Sequence, residues 1–285
     1  MARRIPPPPP ELTTTLASGR RAHFQREGER WQLVVDGTPQ SEVNLDDPTE
    51  LAFGYIRHMG HVLDLAFPPR QPITALHLGA GALTLPRFVE ATRPRSRQQV
   101  IELERDLVDF VRTVAPLPPH ASIRMRYGDA RDQLERLPAG LRGAVDVVVV
   151  DVFAGAQTPA HVTTAEFYDS VRDLLSPGGV VLANVADGGE LAFARRQAAT
   201  LREGIGAVTL IADPGVLKGR RFGNIVVAAT AQVPDWPGLA RLAAAGFPPA
   251  SVMHDHQVPA WVRGARPVRD AEATSSPKPG SELFR

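Results

Sequence analysis

Residues 73–88 read ITALHLGAGALTLPRF. The stretch begins as an apolar run, turns at Gly79-Ala80-Gly81 and resumes with apolar residues that suit one side of a helix, which predicts a strand, a tight turn and a helix. Glycine permits a close backbone approach that a side chain forbids, and the N–H groups at a helix start favour negative or electron-rich ligand groups. The turn therefore predicts a nucleotide-type cofactor. Thr84 stands where GxGxxG has its third glycine, so a purely steric reason for the glycines stays open.

Composition narrows the class of protein. The chain has 285 residues, 43% hydrophobic and 22% charged, which is typical of a soluble globular protein with one large α/β domain and an accessory unit. The net charge of +1 gives no basis for attraction to nucleic acid or to an acidic membrane. The absence of cysteine excludes disulfides, thiolate nucleophiles and zinc–thiolate sites. No apolar stretch is long enough to span a bilayer, and proline follows the first arginines where a signal peptide has its apolar region, so we expect a cytoplasmic protein.

Changes in composition divide the chain into four predicted regions. They are a disordered Pro-rich tail (1–18), a small β-hairpin and helix unit (19–68), a Rossmann-like nucleotide-binding domain (69–248) and a partly disordered C-terminal extension (249–285). Within the second region Asp36-Gly37 is a hairpin signal. A helix is predicted from Leu51 to Leu65, with Asp47 as candidate N-cap. The chain after Arg263 is expected to be poorly ordered.

Strands alternate with helical segments from the glycine turn onward. The further predicted strands are Val100–Leu103, Ile123–Tyr127, Asp146–Val150, Val180–Val185, Val208–Ile211 and Asn224–Ala229. Such alternation predicts a doubly wound, mostly parallel sheet. The connection between the last two strands is too short for a helical crossover, so we expect that pair to be antiparallel.

Four features fall at the ends of four successive predicted strands: the Gly79/Gly81 turn, Glu102, Asp129 and Asp151. In an open parallel sheet, ligands bind beyond the carboxyl ends of the strands, near the point where strand order reverses. Glu102 follows Gly81 by 21 positions, close to the interval of roughly 20 at which a carboxylate reaches a ribose of the cofactor. Asp129 is placed to accept from an adenine amino group, and Asp151 to lie over the reactive end of the cofactor.

Each acid also has a structural interpretation. Glu102 could interact with a helix dipole, and Asp129 could cap a helix that begins at Ala130. Asp151 follows a buried strand, where a carboxylate needs a partner or a wet cleft. The four features in this order favour binding of an adenosyl nucleotide.

The order of motifs, preceded by a small β unit, resembles the polyamine aminopropyltransferases, the spermidine synthase family. The resemblance covers about residues 33–229 and rests on LVVDGTPQS, HLGAGALTLPR, VIELERDLV, YGDA and, most specifically, VVVVDVFAGAQTPAHVTTAEFYDSVRDLLSPGGVV. It implies a methyltransferase-type Rossmann fold that binds decarboxylated S-adenosylmethionine and transfers its aminopropyl group to a small-molecule amine, releasing methylthioadenosine. In that family the β unit often contributes to oligomers, so a homodimer is a candidate assembly.

The resemblance also implies roles for individual residues. Cofactor contacts fall on Gln40, Gly79, Gly81, Ala82 and Ala130, the ribose-binding acid on Glu102, the adenine-side acid on Asp129, and the aspartate that helps deprotonate the attacking amine on Asp151. It implies no metal.

Three departures from the family pattern concern acidic or polar groups. Ala82 replaces the aspartate in the glycine loop of the family that holds the cationic aminopropyl group. Ala154 replaces the second aspartate of the DxxD motif that the family has in the loop after the fourth strand. The YxE motif that follows the β unit in the family has no clean match here, because ELAFGY at 50–55 interrupts it. A carboxylate at position 82 would repel the carboxylate of intact S-adenosylmethionine, and alanine removes that discrimination. Arg87 and the N–H groups of the turn could then accept the intact amino acid.

Three interpretations of function stay open. They are aminopropyl transfer to an amine or another nucleophile, methyl transfer from S-adenosylmethionine on the same fold, and nucleotide binding without catalysis. A nicotinamide dehydrogenase fits the Asp129 motif and the terminal antiparallel pair poorly. His254-Asp255-His256 resembles a metal-ligand cluster by residue type, but adjacent residues rarely converge on one ion, so we expect no metal.

Overall fold

Two sheets organise the chain in the computed structural model, which describes residues 12–279. The predicted disorder of residues 1–11 and 280–285 falls outside the described residues. The division into domains stays a prediction.

The first sheet is the small N-terminal β unit. Its four strands are antiparallel in the order β1-β2-β3-β4: β1 (Thr13–Thr15), β2 (Arg21–Glu27), β3 (Arg30–Val35) and β4 (Thr38–Asn44). The predicted turn between β3 and β4 forms because Asp36 and Gly37 both take positive φ, 48° and 76°. The prediction of a disordered tail up to residue 18 is wrong for Thr13–Thr15, which pair with β2.

The second sheet carries the predicted nucleotide-binding strands. They are β5 (Thr74–Leu78), β6 (Arg97–Glu102), β7 (Ile123–Tyr127), β8 (Val145–Val150), β9 (Leu175–Asp187), β10 (Ala207–Ala212), β11 (Gly223–Thr230) and β12 (Ser251–Met253), in the spatial order β12-β10-β11-β9-β8-β5-β6-β7. From β7 to β9 all neighbours are parallel, whereas β11 runs antiparallel between β9 and β10. The predicted mostly parallel sheet is confirmed, and so is the antiparallel pairing of the last two predicted strands, which are β10 and β11. Strand β12, which lies antiparallel at the edge, was not predicted.

Nine α-helices connect the strands in the described residues. They are α1 (Gly54–Ala66), α2 (Thr84–Thr92), α3 (Arg105–Val114), α4 (Ala130–Glu135), α5 (Ala165–Arg172), α6 (Ala192–Gly204), α7 (Pro214–Leu217), α8 (Leu239–Ala245) and α9 (Val258–Val262). The predicted N-cap Asp47 is wrong. Phe53 is the N-cap of α1, and the side chain of Asp47 instead accepts from the N–H of Thr49 at 3.0 Å. None of the helices in residues 12–279 has both the length and the hydrophobicity that crossing a bilayer requires.

Both faces of the second sheet are buried. Along β8, Val148 and Val150 pack into one hydrophobic cluster and Val147 and Val149 into another on the opposite face. A third cluster joins the N-terminal sheet to α3 and to the start of α2. Strand order reverses between β5 and β8, and this switch point is where an open parallel sheet leaves room for a ligand.

The chain after Arg263 is ordered as far as it is described, so the expectation of a poorly ordered tail is wrong up to residue 279. Val268 is 4% exposed and Ser276 is fully buried. The N–H of Ala165 donates to the carbonyl of Val268, and the N–H of Ser276 to that of Thr158. The segment is ordered despite its polar, proline-containing composition, because its main-chain groups form hydrogen bonds with the rest of the protein.

A buried histidine on β5 makes stability depend on pH. His77 is 1% exposed and its Nε2 lies 3.0 Å from Oε1 of Gln98. Burial lowers the pKa of His77 from 6.5 to about 4. Between these two values the unfolded chain binds a proton that the folded chain does not, so the free energy of unfolding falls as pH falls, by up to about 1.4 kcal/mol per pH unit.

We expect the His77→Gln variant to show a shallower decline of the free energy of unfolding between pH 6.5 and 5 than the wild-type protein, measured by urea unfolding at several pH values. Burial also lowers the pKa of His58 to about 4, so part of the decline remains in the variant. Parallel curves for the two proteins would contradict the assignment.

Candidate active site at the carboxyl edge of the sheet

The glycine turn is fixed by its contact with the end of β8. Gly79 has φ 93°, and a Cβ there would lie 2.2 Å from the carbonyl oxygen of Asp151. Gly81 has φ 49°, and a Cβ there would lie 3.1 Å from Oγ of Ser41 on β4. Glycine at position 79 is therefore a steric requirement, and it holds the turn directly beside Asp151.

Strand β4 borders the turn on its other side. The hydroxyls of Ser41 and Thr84 lie 2.8 Å apart, and Thr84 at the start of α2 also donates to the carbonyl of Glu42 at 3.0 Å. Gln40, a predicted cofactor contact, precedes Ser41 on this strand and is half-buried. The N-terminal sheet thus reaches the predicted cofactor position.

Glu102 lies against the glycine turn. Its Oε2 accepts from the N–H of Ala80 at 2.9 Å and its Oε1 from the N–H of Glu104 at 3.0 Å. These bonds aim the carboxylate along the edge of the sheet and leave each oxygen a further lone pair for a hydroxyl. Leu103, which the sequence analysis did not select, follows with 66% of its surface exposed and offers an apolar contact next to this acid.

Asp129 has two functions in the structure. Its Oδ1 caps α4 by accepting from the N–H groups of Arg131 and Asp132, as the structural interpretation anticipated. Its Oδ2 lies 2.6 Å from Nε2 of His161, which belongs to the loop after β8. Ala130, a predicted cofactor contact, is 6% exposed and packs into the core cluster.

Asp151 is the most constrained acid of the site. Its Oδ1 accepts from Nδ2 of Asn184 at 2.8 Å and its Oδ2 from the hydroxyl of Tyr55 at 3.2 Å. Burial raises the pKa of Asp151 above its ordinary value, and the two hydrogen bonds offset only part of that rise. Burial, with the charge of Asp151 next, also raises the pKa of Tyr55 well above its usual value, so Tyr55 remains a hydrogen-bond donor.

Neither partner of Asp151 is among the residues predicted for the site. Tyr55 belongs to the stretch that interrupts YxE, yet its hydroxyl reaches Asp151 from α1. Asn184 is the one polar residue in the run VVLANVA of β9, and that signal could have found it. Its Oδ1 is buried without a hydrogen-bond partner among the described residues, so it is an unsatisfied acceptor next to Asp151.

Ala82 and Arg87 lie in the interior. Ala82 is fully buried and packs with the N-terminal sheet in the third cluster, so its side chain exposes no surface to a ligand in this structure. Arg87 donates to the carbonyls of Ala82, Ala115 and Pro116, and burial lowers its pKa to about 10. The expectation that Arg87 accepts a cofactor carboxylate is wrong, because main-chain carbonyls already use its guanidinium.

The histidine cluster near the C-terminus also has a structural explanation. Asp255 accepts from the N–H of Val208 at 2.9 Å and from Arg202, while the rings of His254 and His256 stack at 6.2 Å. No group of three or more His, Asp or Glu side chains in residues 12–279 is arranged to hold a metal ion.

A parallel sheet with a reversed terminal strand and acids at three successive strand ends defines the class of methyltransferase-type Rossmann proteins. The chain is similar to a solved structure of a probable spermidine synthase from Corynebacterium glutamicum, with a TM-score of 0.83 and 30% sequence identity over 90% of this chain and 95% of that one. The chain therefore belongs to the spermidine synthase, or polyamine aminopropyltransferase, family.

Sequence comparison agrees with this assignment. The polyamine aminopropyltransferase of Vibrio vulnificus is 29% identical over 160 residues, which are 56% of this chain and 50% of that protein. The chain thus spans about half the length of the curated aminopropyltransferases it matches. An eEF1A lysine and N-terminal methyltransferase of Danio rerio is 30% identical over 122 residues, 40% of this chain and 18% of that protein. No protein-family profile matches the chain.

The contact between Gly79 and the carbonyl oxygen of Asp151 predicts that one methyl group added at position 79 strongly lowers the stability of the fold. We expect Gly79→Ala to lower the free energy of unfolding by about 2 kcal/mol or more, because the methyl clashes with a backbone carbonyl and the residue must keep a positive φ. Gly178→Ala is the matched control, since a Cβ there meets nothing within 4 Å. We expect it to change the free energy of unfolding by less than about 0.5 kcal/mol. Equal effects in urea unfolding would show that the turn tolerates a side chain.

Proposed function

We propose that the protein transfers an aminopropyl group from decarboxylated S-adenosylmethionine to a small-molecule amine. The observation that carries the proposal is the position of Asp151, half-buried beside the glycine turn and oriented by Tyr55 and Asn184. Membership of the aminopropyltransferase family supports it. A cytoplasmic location and a homodimer stay predictions.

The residues of the cleft fit an adenosyl group. Glu102 retains lone pairs for the ribose hydroxyls, and Oδ2 of Asp129 retains one for the adenine amino group. The exposed Leu103 provides an apolar surface for the base. The turn at Gly79 and Gly81 lies beside Asp151, and Gln40 is half-buried on β4, the strand that borders the turn.

When bound, the sulfonium of the cofactor supplies an electrophilic methylene carbon and a neutral thioether leaving group. The amine nitrogen uses its lone pair to form the new bond to that carbon, and the electron pair of the broken carbon–sulfur bond stays on sulfur, which gives methylthioadenosine. Asp151 receives the proton that the attacking nitrogen loses. The chain otherwise contributes alignment of the two reactants.

The surroundings of Asp151 suit this role. A carboxylate of ordinary pKa is a weak base, and burial shifts Asp151 toward stronger basicity. Its two hydrogen-bond donors are neutral, so the carboxylate keeps a net negative charge that attracts an ammonium ion.

Methyl transfer from intact S-adenosylmethionine is the second candidate. The similarity to the methyltransferase of Danio rerio supports it. Position 82 does not favour either reaction, because the side chain of Ala82 is buried and exposes no surface to a ligand. The commitment of Arg87 to main-chain carbonyls counts against it, since a proposed partner for that carboxylate is lost.

Calorimetry separates the two reactions. We expect the protein to bind decarboxylated S-adenosylmethionine at least about tenfold more tightly than the intact form. The intact form carries a carboxylate that would have no partner in the site, and this weakens its binding by at least about 1.4 kcal/mol. Equal affinity, or a preference for the intact form, would favour methyl transfer. Incubation with diaminobutane, diaminopentane and butylamine then tests whether an aminopropylated product forms, and methylthioadenosine binding without any product would support a non-catalytic protein.

The role of Asp151 has its own test. We expect Asp151→Asn to lower kcat by a factor of about 100 or more, since it removes a general base, while the Kd for methylthioadenosine changes by less than about threefold. Asp109→Asn, on the exposed surface of α3, is the control and should leave both values unchanged. Loss of nucleotide affinity in parallel with kcat would contradict the proposed role.

A further inference from the structure

The loop between β8 and α5 connects the two ends of the candidate site. It leaves the sheet at Asp151, where we propose that the amine reacts, and it continues to His161. There Nε2 of His161 lies 2.6 Å from Oδ2 of Asp129, the proposed adenine-side acid. The position of residues 152–162, here called the site loop, therefore bears on both substrates.

Ser276 holds the middle of the site loop. Its N–H donates to the carbonyl of Thr158 at 3.0 Å, and its Oγ accepts from the N–H of Thr158 at 2.9 Å. Its carbonyl accepts from the side-chain amide of Gln157. Ser276 is fully buried and Thr158 is 7% exposed, so these bonds are shielded from competing water.

Asp270 holds the end of the site loop at His161, and it does so through Arg131. The two guanidinium nitrogens of Arg131 donate to the two carboxylate oxygens of Asp270, each at 2.7 Å. Nη1 of Arg131 also donates to the main-chain carbonyl of His161 at 3.1 Å. The hydrogen bond from Arg131 is the largest cause that lowers the pKa of Asp270 to about 2, so the carboxylate is ionised at neutral pH.

The segment that carries these two residues is itself held by the body of the protein. The N–H of Val268 donates to Oγ1 of Thr200 on α6 at 2.9 Å, and its carbonyl accepts from the N–H of Ala165 at 2.8 Å. Glu272 pairs with Arg196, also on α6, at 3.1 Å. Because this segment is rigidly attached, it can hold the site loop in a fixed position.

We propose that residues 268–276 are a positioning element of the transferase site, in which Ser276 holds the middle of the site loop and Asp270, acting through Arg131 and His161, holds its adenine end. The proposal rests on the proposed function. The two anchors hold the site loop at different points, so they are separable by experiment.

The Ser276 anchor is tested with Ser276→Ala, which removes one of the bonds to Thr158. We expect amide hydrogen exchange in residues 154–158 to rise by about tenfold and the KM for the turned-over amine of the panel to rise by a similar factor, since one buried hydrogen bond corresponds to about that ratio. The Kd for methylthioadenosine should change by less than about twofold. Ser275→Ala is the matched control, because Ser275 is exposed, and it should behave as the wild type.

The Asp270 anchor is tested with Asp270→Asn and with the conservative variant Asp270→Glu. We expect Asp270→Asn to raise the Kd for methylthioadenosine by about three- to tenfold and Asp270→Glu to raise it less, because a carboxylate at position 270 still pairs with the guanidinium of Arg131 that donates to His161. Asp109→Asn is the control, since Asp109 is exposed on α3 and lies outside residues 268–276.

The outcomes distinguish this inference from the proposed function. Unchanged hydrogen exchange of the site loop in both variants, or raised exchange with unchanged KM and Kd, would overturn the positioning role. If the wild-type protein binds methylthioadenosine but turns over no amine, the proposed function fails, and the nucleotide Kd and the hydrogen exchange still decide whether the segment positions the adenine end. A wild-type protein that does not bind methylthioadenosine would overturn both.

Discussion

The close approach of Gly79 to the main-chain carbonyl of Asp151 is the constraint on which the rest of the site depends. Strands β5 and β8 pair in parallel, and the N–H of Asp151 donates to the carbonyl of Leu78 at 2.9 Å. With no side chain at position 79, the glycine turn can lie against the strand end that carries the proposed base. One hydrogen-bonded junction thus places the turn proposed to bind the cofactor and the acid proposed as base at the same point of strand reversal.

Asp151 is buried among neutral partners, and these surroundings determine the charge and the basicity of its carboxylate. Tyr55 and Asn184 satisfy the carboxylate by hydrogen bonding without cancelling its charge. A cationic partner would have lowered its pKa strongly, as the Arg131 contact does for Asp270. The same carboxylate can therefore orient an ammonium ion and take up its proton, which requires affinity for positive charge together with moderate basicity.

The N-terminal sheet explains why the glycine loop departs from its family pattern. Ala82 and Leu83 are fully buried against apolar residues of that sheet, and Leu83 holds a positive φ of 61°. An aspartate at position 82 would place a carboxylate in this cluster, where it would need a partner. Arg87 cannot supply one, because its donors go to main-chain carbonyls. An apolar residue at position 82 thus suits the packing of this cluster.

The sequence by itself determined the strand and helix order, the doubly wound sheet with its antiparallel terminal strand, and the three acids at the strand ends. These features are local. Apolar periodicity, a glycine turn or a carboxylate after an apolar run can each be recognised from a few neighbouring residues. Only the tertiary structure decided which groups meet Asp151 and the site loop: Tyr55 lies 96 positions from Asp151 and Ser276 118 positions from Thr158. No local pattern encodes such pairs, because they form only when helix α1 and the C-terminal segment pack onto the finished sheet.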